Sequence, residues 1–318
     1  MELSAVVPPI FWVGFIGFVL AMLALDLFVL GGKTAHKVST KEALGWSLAW
    51  VCLALIFNGL LWWWLDGTQG RAVANTKALE FLTGYLIELS LSVDNIFVFI
   101  MIFAFFQVPA QYQRRVLIYG VLGAIVMRAM MILAGAYLVT KFHWVLYFFG
   151  AFLVITGFKM LIFADKEADL NTNPILNWLR GHLRITPDYE GEKFTVRREG
   201  VRWFTPLFLV LILIETSDVI FAVDSIPAIF SVTTDPFIVF TSNIFAIMGL
   251  RAMYFLLADM NGRFHLLKYG LALVLVFVGI KMLIVDFYKV PIGLALGIVA
   301  IILAASVAAS LAATREKR

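Results

Sequence analysis

Apolar runs of about twenty residues recur from one end of this chain to the other, and nothing else in the sequence narrows its fold so far. A run of that length crosses the hydrocarbon of a bilayer as a helix, and only helices or closed barrels satisfy their backbone polar groups there. With proline and glycine as punctuation, the runs predict helices near 8–30, 43–65, 79–106, 113–140, 143–163, 204–230, 236–258, 265–286 and 291–313. Pro8, Pro9, Pro109, Pro206, Pro236 and Pro291 fall at their ends, where a missing N–H costs least. With 62% of its 318 residues hydrophobic and only 14% charged, the chain excludes a soluble globular domain. The expectation is an all-α polytopic membrane protein with about nine transmembrane helices. Helices one to five occupy residues 1–163, a cytoplasmic loop 164–203, and helices six to nine 204–318.

The loops carry an orientation signal. Seventeen Lys or Arg fall in alternate loops and at the C-terminus, against four in the opposite loops, Arg71, Lys77, Lys141 and Lys289. The basic side is cytoplasmic, so the N-terminus is expected outside and the C-terminus inside. The net charge of +4 reports this bias and does not imply nucleic acid. The N-terminal run lacks a basic leader and a small-residue cleavage pattern, so it reads as a retained first helix. Asp26, near the cytoplasmic end of that helix, reads as interfacial. In the loop, PILNWLRGHL suits an interfacial helix and EKFTVRREGVRWF a hairpin. The lone cysteine, Cys52, can form neither an intramolecular disulfide nor a thiolate cluster.

Within the spans the charged residues repeat in order. Arg128 opens RAM in MRAMMIL and Arg251 opens RAM in LRAMYFL, while Lys159 lies in GFKMLI and Lys281 in GIKMLI. Glu88 and Asp94 in ELSLSVDNI match Asp218 and Asp224 in DVIFAVDSI. Helices three to five (79–163) therefore resemble helices six to eight (204–286), with a gap of seven residues between the acidic and RAM motifs. The third helix enters from outside and the sixth from the cytoplasm, so the repeat is inverted. Such repeats place a substrate site near the bilayer midplane and expose it alternately to each side.

Five carboxylates at membrane depth, Glu88, Asp94, Glu215, Asp218 and Asp224, demand partners, because each costs at least about 2.5–3.5 kcal/mol to insert. Arg128, Lys159, Arg251 and Lys281 could serve as charge pairs or gates. The acids also stand among Ser90, Ser92, Asn95, Thr216, Ser217 and Ser225, and carboxylate, hydroxyl and amide oxygens together are ligands for a hard divalent cation. His36, His143, His182 and His265 lie in loops or at span ends. Oxygen-only ligation favours manganese, magnesium or calcium over zinc and copper. The candidate metal residues are Glu88, Asp94, Asn95, Glu215, Asp218, Asp224 and Ser225. At about 100° per residue, Glu215 and Asp218 share a helix face and Asp224 points the other way, so either Pro227 breaks the sixth helix or only some of the acids are ligands. Gly293 and Gly297 have the spacing of a helix-dimer motif but equally suit packing within the chain.

ELSLSVDN, IETSDVIFAVDSIPAIF, RAMYFLL and GIKMLIVDF together resemble the TerC family of integral membrane proteins, and TGYLIE and LRGHLRIT resemble its Alx branch in particular. Glu88, Asp94 and Asn95 match the family's first acidic signature, and Glu215, Asp218, Asp224 and Ser225 its second. The resemblance implies a nine-helix protein of the bacterial inner membrane, linked to tellurite resistance, alkaline induction and manganese efflux. The function expected on that basis is a manganese(II) exporter working by alternating access with proton coupling, without a prosthetic group and without enzymatic activity. The alternative is a non-transporting protein that senses metal or delivers it to exported enzymes. Expected partners are the metal ion, the lipid bilayer, and either a second copy of the chain or a component of the secretion machinery.

Overall fold

A computed structural model describes residues 6–25, 39–142, 144–163, 173–259 and 266–315. Asp26, His36, His143, His265 and residues 164–172 lie outside them. The described chain is almost entirely helical: α1 (Pro9–Leu25), α2 (Thr40–Gln69), α3 (Arg71–Phe105), α4 (Ala110–Lys141), α5 (Trp144–Phe163), α6 (Pro174–His182), α7 (Pro206–Phe230), α8 (Pro236–Asp259), α9 (Leu267–Leu283) and α10 (Ile292–Arg315). A short hairpin, β1 (Thr195–Arg198) and β2 (Val201–Phe204), lies between α6 and α7.

Seven helices among the described residues, α2, α3, α4, α5, α7, α8 and α10, are long and apolar enough to cross a membrane. The first and eighth of the nine expected spans correspond to α1 and α9, each 17 residues long. At 1.5 Å per residue the 17 described residues of each reach about 25 Å, less than a full hydrocarbon core. Helix boundaries also extend beyond the apolar runs. The helices α2 and α3 continue until only Gly70 separates them, at φ +90°, a conformation that glycine adopts without a Cβ penalty. Arg71 and Asp66 pair across this turn, and the Arg71 guanidinium sits over the Trp62 ring. Hydropathy marks where lipid ends and not where the hydrogen-bonded helix ends.

Burial explains the distribution of polarity. The spanning stretch of α8 is 83% buried with a mean hydropathy of 1.4, whereas that of α10 is 11% buried with a mean hydropathy of 2.6. A helix enclosed by other helices can carry polar side chains provided they find partners, and one facing lipid cannot. The centre is built by α3 and α8, which pack on each other and on α2. Rings of Phe15, Phe57, Phe81, Phe237 and Phe245 interlock there. Around this core α4 packs on α7, α5 on α9, and α10 on α3 and α9. Between α5 and α9 the backbones touch: a Cβ added to Gly157 would fall 2.8 Å from the Ala272 carbonyl, and one added to Gly279 would fall 2.7 Å from that of Gly150.

The expected interfacial helix is α6, capped by Asn173, whose side chain accepts from the backbone N–H groups of Ile175 and Leu176. Leu176 and Leu179 are buried toward α7, and Trp178 is exposed. The expected hairpin is β1–β2, turned by Glu199 and Gly200 at φ 51° and 78°, the paired left-handed conformation of a two-residue turn. It is tied back to the membrane bundle by Tyr189, whose hydroxyl donates to the Phe106 carbonyl at 2.7 Å, and by an ion pair between Arg115 and Glu192. Gly293 and Gly297 have no heavy atom within 4 Å of an added Cβ. The packing role allowed for them inside the chain is therefore not made with described residues.

Candidate functional site

The acidic motifs meet where α3, α4, α7 and α8 pack together, and an arginine organises them. Arg128 on α4 is fully buried. Its Nη2 donates to Asp218 Oδ1 at 3.0 Å and its Nε to Oδ2 at 3.3 Å, a forked contact with one carboxylate. Its Nη1 donates to Glu88, to Ser225 Oγ at 3.2 Å and to Asn243 Oδ1 at 3.1 Å. Asn243 in turn donates from Nδ2 to Glu88 Oε2 at 3.2 Å. Asn95 Nδ2 lies 3.4 Å from Asp218 Oδ1. One cation thus neutralises acids from two helices, and two amides and a hydroxyl fill the remaining valences.

These contacts fix the register of α3 against antiparallel α7. Asn95 stands level with Asp218, and Glu88 with Ser225, both of which meet the same Nη1. In the aligned motifs Asn95 corresponds to Ser225 and Glu88 to Asp218, so the two rungs are counterparts of each other. The same register staggers Asp94 and Asp224 by five residues, roughly 7 Å along the helix axes. They lie within electrostatic range of each other. Asp224 is hydrogen-bonded to Thr156 of α5, with Lys159 of α5 nearby, and Asp94 feels Lys268 of α9.

The seven candidate metal residues therefore divide. Glu88, Asp218, Asn95 and Ser225 belong to the Arg128 knot. Asp94 and Asp224 form a second, less enclosed pair on its flank. Glu215 is half-buried against α4, its carboxylate resting where a side chain on Gly123 would be, and it feels the charge of Asp218. Among the described residues no three acidic, His or Cys side chains converge on one point. The break allowed for at Pro227 is not made: α7 runs unbroken through it to Phe230, and a continuous helix aims its acids in different directions. Two buried oxygens of α3, Asn95 Oδ1 and Ser92 Oγ, have no hydrogen-bond partner among the described residues, which leaves acceptors to spare on the helix that carries Glu88 and Asp94.

The other intramembrane cations are deployed differently. Lys281 donates to the Ser231 carbonyl at 3.0 Å, Lys159 is on an exposed face of α5, and Arg251 lines a small cavity with Leu23, Trp50, Leu122 and Met248. Sequence reasoning missed Asn243 altogether, although Thr241, Ser242 and Asn243 interrupt an apolar helix two turns before Arg251. It also missed a buried cluster at the α7–α8 turn. There Thr233 donates to Glu80 at 2.6 Å, Lys77 pairs with Glu80 at 2.8 Å, and Asp235 accepts from the Val6 N–H while capping α8.

A bundle of apolar helices closed around a buried acid–guanidinium knot defines an integral, multi-pass membrane protein with ionisable residues at depth, the arrangement that marks ion and substrate pathways. The TerC family of integral membrane proteins matches residues 73–318, and the chain belongs to that family. It is 59% identical over 297 residues to the Alx proteins of Salmonella typhi and Escherichia coli (strain K12), which carry the provisional description of membrane-bound redox modulator. Those alignments cover 93% of this chain and 92% of each relative. An uncharacterized membrane protein of Myxococcus xanthus is 51% identical over 308 residues, 97% of this chain and 94% of that one. No solved structure matches significantly.

Proposed function

We propose that this protein is a manganese(II) exporter of the bacterial inner membrane, working by alternating access between two inverted repeats. The observation that carries the proposal is the Asp94–Asp224 pair, two acids from corresponding motif positions on antiparallel helices within electrostatic range of each other. On the same helix as Asp94, buried Asn95 Oδ1 and Ser92 Oγ lack partners among the described residues. An oxygen-only donor set of this kind suits a hard divalent cation. Asp94 and Asp224 serve as ligands, with Asn95 and Ser225 supplying neutral oxygens when the ion is present. Glu215, Glu88 and Asp218 act as auxiliary ligands or proton carriers, and Arg128 holds the last two in this structure. Metal arriving at a carboxylate site displaces protons, so export is coupled to proton entry.

The inverted repeat is supported by reciprocity in the packing. α3 packs on α8 as its counterpart α7 packs on α4, and α5 packs on its own counterpart α9. Gly157 and Gly279 correspond, as do Gly150 and Ala272, and each glycine abuts the other's partner carbonyl. With α1 and α9 as the shorter members, nine helices cross the membrane, the N-terminus outside and the C-terminus in the cytoplasm.

Purified protein in proteoliposomes loaded with a manganese-quenched dye tests the activity. Wild type should quench the dye on manganese addition, and an Asp94→Asn, Asp224→Asn double variant should lose at least about tenfold in rate. Full flux in that variant would refute the assignment. Retained manganese binding without flux in wild type would favour a metal-sensing or metal-delivering protein instead.

A further inference from the structure

The two repeats carry corresponding arginines, but the structure uses them differently. Arg128 sits in the acidic knot, while Arg251, its counterpart on α8, lines a cavity toward α2 with Trp50. A repeat that is inverted in the membrane generates its second conformation when each half adopts the arrangement now held by the other. Contacts of Arg128 can therefore be translated, residue by residue, into contacts of Arg251 in that second state.

Arg128 now holds Glu88, Asp218 and Ser225. Exchange of the halves turns Glu88 into Asp218, Asp218 into Glu88, and Ser225 into Asn95. The translated partner set of Arg251 is thus the same two acids plus Asn95. In the present structure Asn95 Oδ1 is a buried acceptor with no donor among the described residues, and a second guanidinium arriving as the first departs would supply one. A further asymmetry points the same way. Val232, two residues past the end of α7, lines a cavity of about 150 Å³ with Ser231, Lys281 and Tyr288, whereas its counterpart Ile102, near the end of α3, is packed at 1% exposure. One end of the repeat pair has space and the corresponding place at the other end is filled.

We propose that Arg128 and Arg251 alternate as the internal counter-ion of the acidic knot: in the second conformation Arg251 lies between Glu88 and Asp218 and donates to Asn95 Oδ1, while Arg128 withdraws toward a cavity of its own. The knot is then never left as two naked carboxylates when the ion is absent, which would be the costliest state of the cycle. Asn243 biases this exchange. It accepts from Arg128 and donates to Glu88, and the aligned position in α4 is Gly120, which offers no such group. The Arg128-bound state is therefore the one the side chains favour at rest.

This inference rests on the inverted-repeat reading above, and its test needs no metal. In a Cys52→Ser background, single Val232→Cys and Ile102→Cys proteins in nanodiscs are exposed to a soluble thiol reagent, which reaches both membrane faces. Adding Arg251→Gln should trap the present state, speeding reaction at position 232 relative to 102 by about tenfold, a population shift that a modest bias produces. Asn243→Ala should move the ratio the opposite way. If Arg251→Gln leaves the ratio at its parent value, the exchange does not occur. Should Arg251→Gln fail to fold, Asn95→Val removes the awaited acceptor and is expected to give the same shift; an unchanged ratio there overturns the proposal equally. A shifted ratio in a protein that moves no manganese would sink the transport assignment and leave the alternation standing.

Discussion

Arg128 is the residue on which the buried chemistry turns. Removing one partner from a desolvated ion cluster leaves the others charged and without compensation, at a cost of about 3–5 kcal/mol. Arg128→Met should lower the thermal unfolding temperature of the detergent-solubilised protein accordingly. Adding Glu88→Gln and Asp218→Asn to that variant should restore a large part of the loss, because the stranded charges are gone. If Arg128→Met unfolds like wild type, the knot does not exist as described. The charges of this knot were legible in the sequence, since carboxylates and arginines in apolar runs announce themselves by their cost. Their pairing was not. Helical periodicity states which residues share a face of one helix, but the partner of Glu88 sits 40 residues away on α4, and that of Arg128 includes Asn243, 115 residues on. Asn243 carries no charge, so the polar interruption of Thr241, Ser242 and Asn243 was its one local signal, and that signal does not name a partner.

At the scale of elements, the glycines between α5 and α9 set how closely the two halves approach. Lipid tails are as apolar as the helices themselves, so association inside the membrane relies on close packing and small residues. A Cβ at position 279 would meet the Gly150 carbonyl and the Val154 backbone N at 2.7 and 2.8 Å, and backbone atoms cannot yield as a side chain can. Gly279→Ala should therefore force the helices apart at a cost of about 1–3 kcal/mol, read as a lowered unfolding temperature. Gly293→Ala on α10, where an added Cβ meets nothing within 4 Å, should change it little. Equal effects at the two positions would show that α5 and α9 do not touch as seen. Helix order, the proline starts, the short helix α6 and the β1–β2 hairpin could all be read in advance, because each is written in local pattern. The extension of α2 and α3 past the hydrocarbon could not, because hydrophobicity reports the solvent of a helix and not its hydrogen bonds.

For the whole molecule, the asymmetry of basic loops predicts topology. A fluorescent protein fused after Arg318 should light up in cells, and alkaline phosphatase fused at the same place should stay inactive; an active phosphatase would invert the proposed orientation and count. That this is an α-helical, multi-pass membrane protein with acids repeated on two of its helices was determined by sequence alone. Hydrophobic run length, proline placement and charge cost are local quantities, each readable within a window of some twenty residues. Only the tertiary structure decided that Glu88 and Asp218 are claimed by Arg128, that Asp94 and Asp224 stand apart from that knot, and that one arginine of a matched pair occupies it. Those outcomes depend on the register between antiparallel helices, which is set by packing across the bundle, where residues distant in sequence compete for the same buried charge.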